Sequence, residues 1–128
     1  MAVLIDTDVL IEWERGRAPR LPADEECSLS VITASEILHG VHRATGATQA
    51  RRAAFVEYIL AELPVMPVTT EAARAHARTW ATMESRGELI GAHDLWIAAT
   101  ALAHDLGLAT RNAAEFERVE GLRVIDLR

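Results

Sequence analysis

The sequence contains no lysine. All 13 of its basic side chains outside the five histidines are arginine, against 19 aspartates and glutamates, for a formal net charge of −6. The absence of lysine excludes mechanisms that need an amine nucleophile or a lysine counter-ion. A protein that holds nucleic acid on a basic surface has the opposite balance. Either nucleic acid is not the substrate, or bound metal ions supply positive charge locally. Cys27 is the single cysteine, so no internal disulfide can form, and a reducing, cytoplasmic home is expected. No apolar run approaches the roughly 18 residues of a membrane span, so no membrane association is expected. The N-terminus has no basic segment and runs directly into Asp6; it reads as a first strand, not an export signal.

The chain has 128 residues and half of them are hydrophobic, which suits one domain over residues 1–128 with a real core. Ala2 to Ile5 is a short apolar run typical of a buried parallel strand. Thr7 to Arg15 reads as a helix, Arg17 to Glu26 as a polar loop around Pro19 and Pro22, and Ser28 to Ile32 as a second strand. Thr33 opens a helix with Ala34, Ile37, Leu38 and Val41 on one stripe, and Val56, Ile59, Leu60 and Leu63 repeat that spacing in the next. Val65 to Val68, between Pro64 and Pro67, reads as an edge strand. Thr70 to Ser85 is helical, with Ala73, Ala77, Trp80 and Ala81 expected to face inward. Gly87 and Gly91 mark a loop before Asp94 to Asp105, a helix apolar nearly all round that Gly107 is expected to cap. Leu108 to Thr110, Asn112 to Arg118 and Arg123 to Leu127 read as strand, short helix and strand. Strands alternate with helices, so the fold class is α/β, a central parallel sheet flanked by helices.

In such a sheet the carboxyl ends of the strands and the helix starts that follow them share one edge, where ligands bind. Asp6 follows the first strand, Glu36 and Asp94 lie near helix starts, and Glu115 lies just after the Leu108 strand. These acids therefore converge on one cleft, and Asp8 can join them. Crowded carboxylates raise one another's pKa unless cations neutralise them. Mg²⁺ or Mn²⁺ suits an all-oxygen ligand set, and such a centre polarises a phosphodiester and generates hydroxide at neutral pH. Each acid also has a structural reading. Thr33-Ala-Ser-Glu36 is a capping box in which Glu36 bonds back to the Thr33 amide, and Asn112-Ala-Ala-Glu115 has the same shape. Asp94 can be an N-cap, and Asp6 can close an Asx-turn.

Among the other polar residues, Arg111 beside the cleft is a phosphate candidate, with Thr110 and Asn112 next to it as candidate substrate-binding residues. Arg15, Arg17 and Arg20 read equally as a phosphate track or a solvated face. His93 precedes Asp94, but a carboxylate metal site needs no histidine. His39 and His42 share a helix face without a third ligand, and His76, Trp80 and Trp96 read as packing residues.

Val3-Leu-Ile-Asp6-Thr7-Asp8-Val-Leu-Ile11 resembles the first motif of the PIN-domain family, in particular its VapC-like toxin branch. Ser30-Val-Ile-Thr33-Ala-Ser-Glu36-Ile-Leu38 resembles the second, and Ile90-Gly-Ala-His-Asp94-Leu-Trp-Ile-Ala-Ala99 the third. Leu108-Ala-Thr110-Arg111-Asn112-Ala-Ala-Glu115-Phe116, followed by Gly121-Leu-Arg-Val124, resembles the fourth. The resemblance implies a PIN fold and an Mg²⁺- or Mn²⁺-dependent endoribonuclease acting on RNA. It places Asp6, Glu36, Asp94 and Glu115 at the catalytic, metal-holding positions, with Thr110 and Asn112 supporting them. It also implies a homodimer held inactive by a cognate antitoxin, whose C-terminal segment sets an arginine in the acidic site. Two departures stand out: Glu115 occupies a position usually held by aspartate, and Asp8 one often held by a smaller neutral residue. An alternative is a catalytically weak module of the same fold that binds RNA or protein without cutting. Asp6-Thr-Asp8 also resembles the start of haloacid-dehalogenase-like phosphatases, but neither that mechanism nor a receiver domain finds its lysine here.

Overall fold

A computed structural model describes residues 2–17 and 25–128. Most of the proline-bearing loop expected over 17–26, including Arg20, falls outside the described residues. Five parallel strands form one sheet: β1 (Ala2–Ile5), β2 (Glu26–Ser30), β3 (Val65–Met66), β4 (Gly107–Thr110) and β5 (Val124–Asp126). Their order is β3-β2-β1-β4-β5. The register sets Leu4 beside both Ser28 and Leu108, and Ile5 beside Ala109. The chain builds outward from β1 in one direction and later returns to build in the other, so the crevice between the ends of β1 and β4 is the switch point of the sheet.

Alternation along β1 feeds two cores. Val3 and Ile5 pack with Val9, Leu10, Leu29, Ile37, Val56 and Ile59, supplied largely by α1 (Thr7–Glu14), α2 (Val31–Arg43) and α3 (Gly46–Glu62). Leu4 points the other way, onto Met83, Leu95, Ile97, Leu108 and Phe116, with α4 (Thr70–Ser85), α5 (Ala92–Ala103) and α6 (Ala113–Phe116) covering that face. Strands buried on both faces read as continuous apolar runs, which is why Ala2–Ile5 shows no polar alternation. No helix among the described residues is long and apolar enough to cross a membrane.

Four local expectations are corrected. Ser28 to Ile32 does not continue as strand: β2 ends at Ser30, and Val31 and Ile32 begin α2. Ser30, not Thr33, is the N-cap, its Oγ accepting the Thr33 N–H at 3.0 Å. Gly107 does not cap α5. Asp105 adopts the left-handed conformation there (φ 55°), and Gly107 starts β4. A Cβ on Gly107 would lie 2.6 Å from the Arg123 guanidinium, which crosses it to reach Glu25 and the Ala2 carbonyl, so a larger residue would push the end of that flexible side chain aside. On α4 the buried residues are Ala72, Ala75 and Met83, while Ala73, Ala77, Trp80 and Ala81 face outward. Trp80 is 49% exposed and makes a T-shaped contact with His76, which stacks on Trp96 with ring centroids 3.6 Å apart.

Ser30 is fully buried. Ser30→Ala removes the cap and leaves the Thr33 N–H unpaired. The expected cost is about 1–2 kcal/mol, read as a lower thermal midpoint by circular dichroism.

Candidate active site

Asp6 sits where β1 meets α1, as the N-cap of that helix. Its N–H continues the sheet ladder to the Ala109 carbonyl at 2.9 Å. The residue is only 5% exposed, and its carboxylate accepts the Thr7 N–H on Oδ1 and the Thr110 hydroxyl on Oδ2, both at 2.8 Å. Thr110 is fully buried at the end of β4 and accepts the Asn112 N–H at 2.9 Å. It therefore positions Asp6, in keeping with the supporting place the resemblance gave it.

Glu36 does not close a capping box on Thr33. It is half-buried and takes the Thr7 hydroxyl on Oε1 at 2.7 Å; the Thr7 hydroxyl also lies 3.1 Å from that of Thr33. Thr7 thus links Asp6 to Glu36 through its amide and its side chain. Asp94 is not the cap of α5 either. Gly91 is, and Asp94 lies in the first turn. Glu115, in α6, accepts the Asn112 side-chain amide and, at 3.4 Å, the Gly91 N–H. Asn112 spends its amide on that contact and makes no side-chain cap bond. His93, exposed, stands 3.5 Å from Glu36 Oε2.

The charges interact as one group. Burial, then the Asp8 and Asp94 charges, push Asp6 up to about 7 against the pull of its threonine bonds. Burial, the neighbouring Glu115, and then Glu36 and Asp8 push Asp94 up to about 7. Burial also raises Asp8, although the Arg111 N–H and guanidinium oppose this. Asp8 beside Asp6, and Glu115 beside Asp94, lie close enough for each charge to disfavour ionisation of its neighbour. Such pairs are relieved when a proton or a cation neutralises one member. That donor set, hard oxygen throughout and short of positive charge, fits Mg²⁺ or Mn²⁺. As they lie, no three acidic, cysteine or histidine side chains among the described residues form a closed cage, so a cation would draw the carboxylates inward.

Arg111, flagged as a phosphate ligand, is exposed at the rim. Its N–H faces Asp8 and its guanidinium reaches Glu12. Sequence reasoning missed Thr7, Ser30 and Glu12. Thr7 lay inside the first acidic motif, and Glu12 lies one turn after Asp8 on the same helix; those were the available signals.

The raised carboxyls make metal-free stability pH-dependent. Asp6 and Asp94 bind protons more tightly folded than unfolded, so their contribution is present at low pH and is lost as pH rises through about 7. In EDTA, Asp6→Asn is expected to melt several degrees above the wild type at pH 8, a gain on the order of 2 kcal/mol. That gain shrinks at pH 5. Equal midpoints at pH 8 would mean the charges are not crowded.

With this geometry in view, the comparisons with known proteins agree. The PIN domain profile matches residues 3–122. Ribonuclease VapC1 of Rickettsia felis is 32% identical over 128 aligned residues, covering 98% of this chain and 96% of that protein. The structure of VapBC-5 from Mycobacterium tuberculosis, a toxin-antitoxin system, is similar with a TM-score of 0.79 and 29% identity over 99% of this chain and 98% of that one. VapBC2 of Rickettsia felis, solved on a promoter DNA fragment, has a TM-score of 0.88 over the full length of both chains. At 19% identity it speaks to the fold alone. The chain belongs to the PIN-domain family.

Proposed function

We propose that this protein is an endoribonuclease dependent on Mg²⁺ or Mn²⁺, acting in the cytoplasm as the toxin of a toxin–antitoxin pair. The observation that carries the reading is the convergence of Asp6, Asp8, Glu36, Asp94 and Glu115 on one edge of the sheet, where burial and neighbouring negative charge push Asp6 and Asp94 up to about 7. Asp6, Asp94, Glu36 and Glu115 would hold the metal, with Asp8 adding charge beside them. The bound cation would polarise a phosphodiester and lower the pKa of an attacking water. The rest belongs to the chain itself. Thr110 and the Thr7 amide fix Asp6, the Thr7 hydroxyl fixes Glu36, and Asn112 fixes Glu115. Arg111 offers its guanidinium to a phosphate oxygen at the rim. The likeness to ribonuclease VapC1 supports RNA as substrate.

The VapBC structures support an antitoxin partner. The surface we assign to it is a groove of about 720 Å³ between α1 and α2, floored by Phe55 and Val56. Leu10, Ile11 and Ile37 make its middle apolar, and Glu36 and His93 line it next to the acid cluster. An apolar segment ending in a basic residue would meet Leu10, Ile11 and Ile37 with its body and Glu36 with its end, beside the Arg15, Arg43 and Arg52 side chains that also line the groove. The family resemblance also supports a homodimer, for which the apolar strip of α4 is exposed.

A second reading, a module that binds without cutting, is favoured by one observation: the carboxylates as they lie close no cage. Calorimetric titration of Mn²⁺ into the antitoxin-free protein and Asp6→Asn separates the two. Binding by the first and its loss in the second is expected, together with RNA cleavage that stops in EDTA; no heat in either supports the non-cutting module. Among variants, Asp6→Ala is expected to cut on the order of 10²–10³-fold more slowly. Glu115→Ala should be milder, because Glu115 is less buried than Asp6 and held by the Asn112 amide and a long 3.4 Å bond from the Gly91 N–H. Equal losses in cleavage rate would overturn that ranking.

A further inference from the structure

We infer that Glu12 organises a cationic subsite for an RNA phosphate beside the acid cluster, with Arg17 and Arg111 as the groups that take it. The inference rests on the ribonuclease reading above and adds to it a second anchoring point for the strand.

Glu12 is only 8% exposed, an unusual position for a carboxylate on a helix of an acidic protein. Arginines surround it. Arg17 Nε donates to Oε2 at 2.6 Å, and Arg17 Nη2 to Oε1 at 3.4 Å. Arg111 Nη1 lies 3.0 Å from Oε1 and Arg15 Nη1 3.9 Å from it. One of these arginines would neutralise the buried charge. Three leave positive charge in excess, on side chains that remain 60%, 64% and 42% exposed for Arg15, Arg17 and Arg111. A guanidinium that shares part of its fork with a carboxylate keeps other N–H groups for a phosphate oxygen.

Placement argues for use. Asp8 and Glu12 lie one turn apart on the same face of α1. Arg111 bridges them, with its N–H at 3.3 Å from the Asp8 carboxylate and its guanidinium on Glu12. The cationic patch therefore begins one helical turn from the acids. The backbone brings Arg17 to it deliberately: Gly16 turns with φ 77°, and the Arg17 N–H returns to the Glu12 carbonyl at 2.8 Å. A polyanion approaching a protein of net charge −6 is repelled by its general field, and most strongly by the acid cluster. Arg17 and Arg111 supply a local landing point, so one phosphate is held there while its neighbour lies over the carboxylates. Glu12 itself is a positioning residue: it touches no substrate and acts by holding the arginines together.

The test is RNA affinity against salt concentration, measured with a fluorescent single-stranded oligonucleotide of mixed sequence on full-length protein in the Asp94→Asn background with Mg²⁺. Arg17→Ala and Arg111→Ala are each expected to weaken binding several-fold. Each should also flatten the slope of log affinity against log salt by about 0.7, the signature of one lost phosphate contact on a single strand. Arg17→Lys keeps the slope, and Arg74→Ala on α4 changes neither quantity. Glu12→Gln gives the sharper sign. Removing a negative charge alone would tighten RNA binding, whereas loss of the organiser weakens it although net charge becomes more positive. Should Glu12→Gln melt before it can be measured, the two alanine variants still decide. Unchanged affinity and slope in both, with RNA still bound, overturn the subsite alone. No RNA bound at any salt concentration, with no cleavage by the wild type, overturns the ribonuclease reading and the subsite with it.

Discussion

The acid cluster of this molecule is built around one carboxylate, that of Asp6, held at the point where the sheet changes direction. The ladder bond from its amide to Ala109 fixes the backbone, and Thr7 and Thr110 fix the oxygens. From that anchor the other acids take their places. α1 carries Asp8 past it, Thr7 reaches across to Glu36, and the starts of α5 and α6 bring Asp94 and Glu115 to the same edge. Every one of these placements concentrates like charge. The fold tolerates this because the surrounding apolar cores are large and because protons or cations can occupy the gaps between carboxyls.

The order and type of most elements were legible in the sequence because β1 is a short apolar run, α2 and α3 carry apolar stripes and α5 is apolar nearly all round. The acids were legible because parallel sheets deliver strand ends to a common edge. What the sequence obscured has local causes. Val31 and Ile32 are β-branched and extend the look of a strand, yet the buried Ser30 caps a helix there, and tertiary placement overrides propensity. α4 carries alanine on every side, so small residues give no direction. Met83 and the stacking of His76 on Trp96 decide which face turns in, and the expected stripe is the outer one. Gly107 reads as a helix stop, but it starts β4, where the guanidinium of Arg123, a residue far along the chain, lies over it. Glu12 was invisible for the same reason, since Arg111 reaches it from the far side of the sequence.

Positive and negative charge are sorted, not blended, near the site. Acids occupy the crevice itself, while arginines gather one turn away on Glu12 or pair with acids at the groove, as Arg52 does with Glu14. Arginine suits this arrangement better than lysine would, because its planar fork can hold a carboxylate and still present donors outward.

The outer strands of the sheet are β3, with two residues set between prolines, and β5, with three. Neither offers a row of free backbone donors and acceptors long enough to template another strand. Recruitment of a foreign chain by sheet extension is thereby closed off, along with the route to edge-to-edge aggregation. Among the described residues, docking therefore falls to side chains on helices and loops, so recognition can be rewired by surface substitution while the sheet that holds the acids stays untouched.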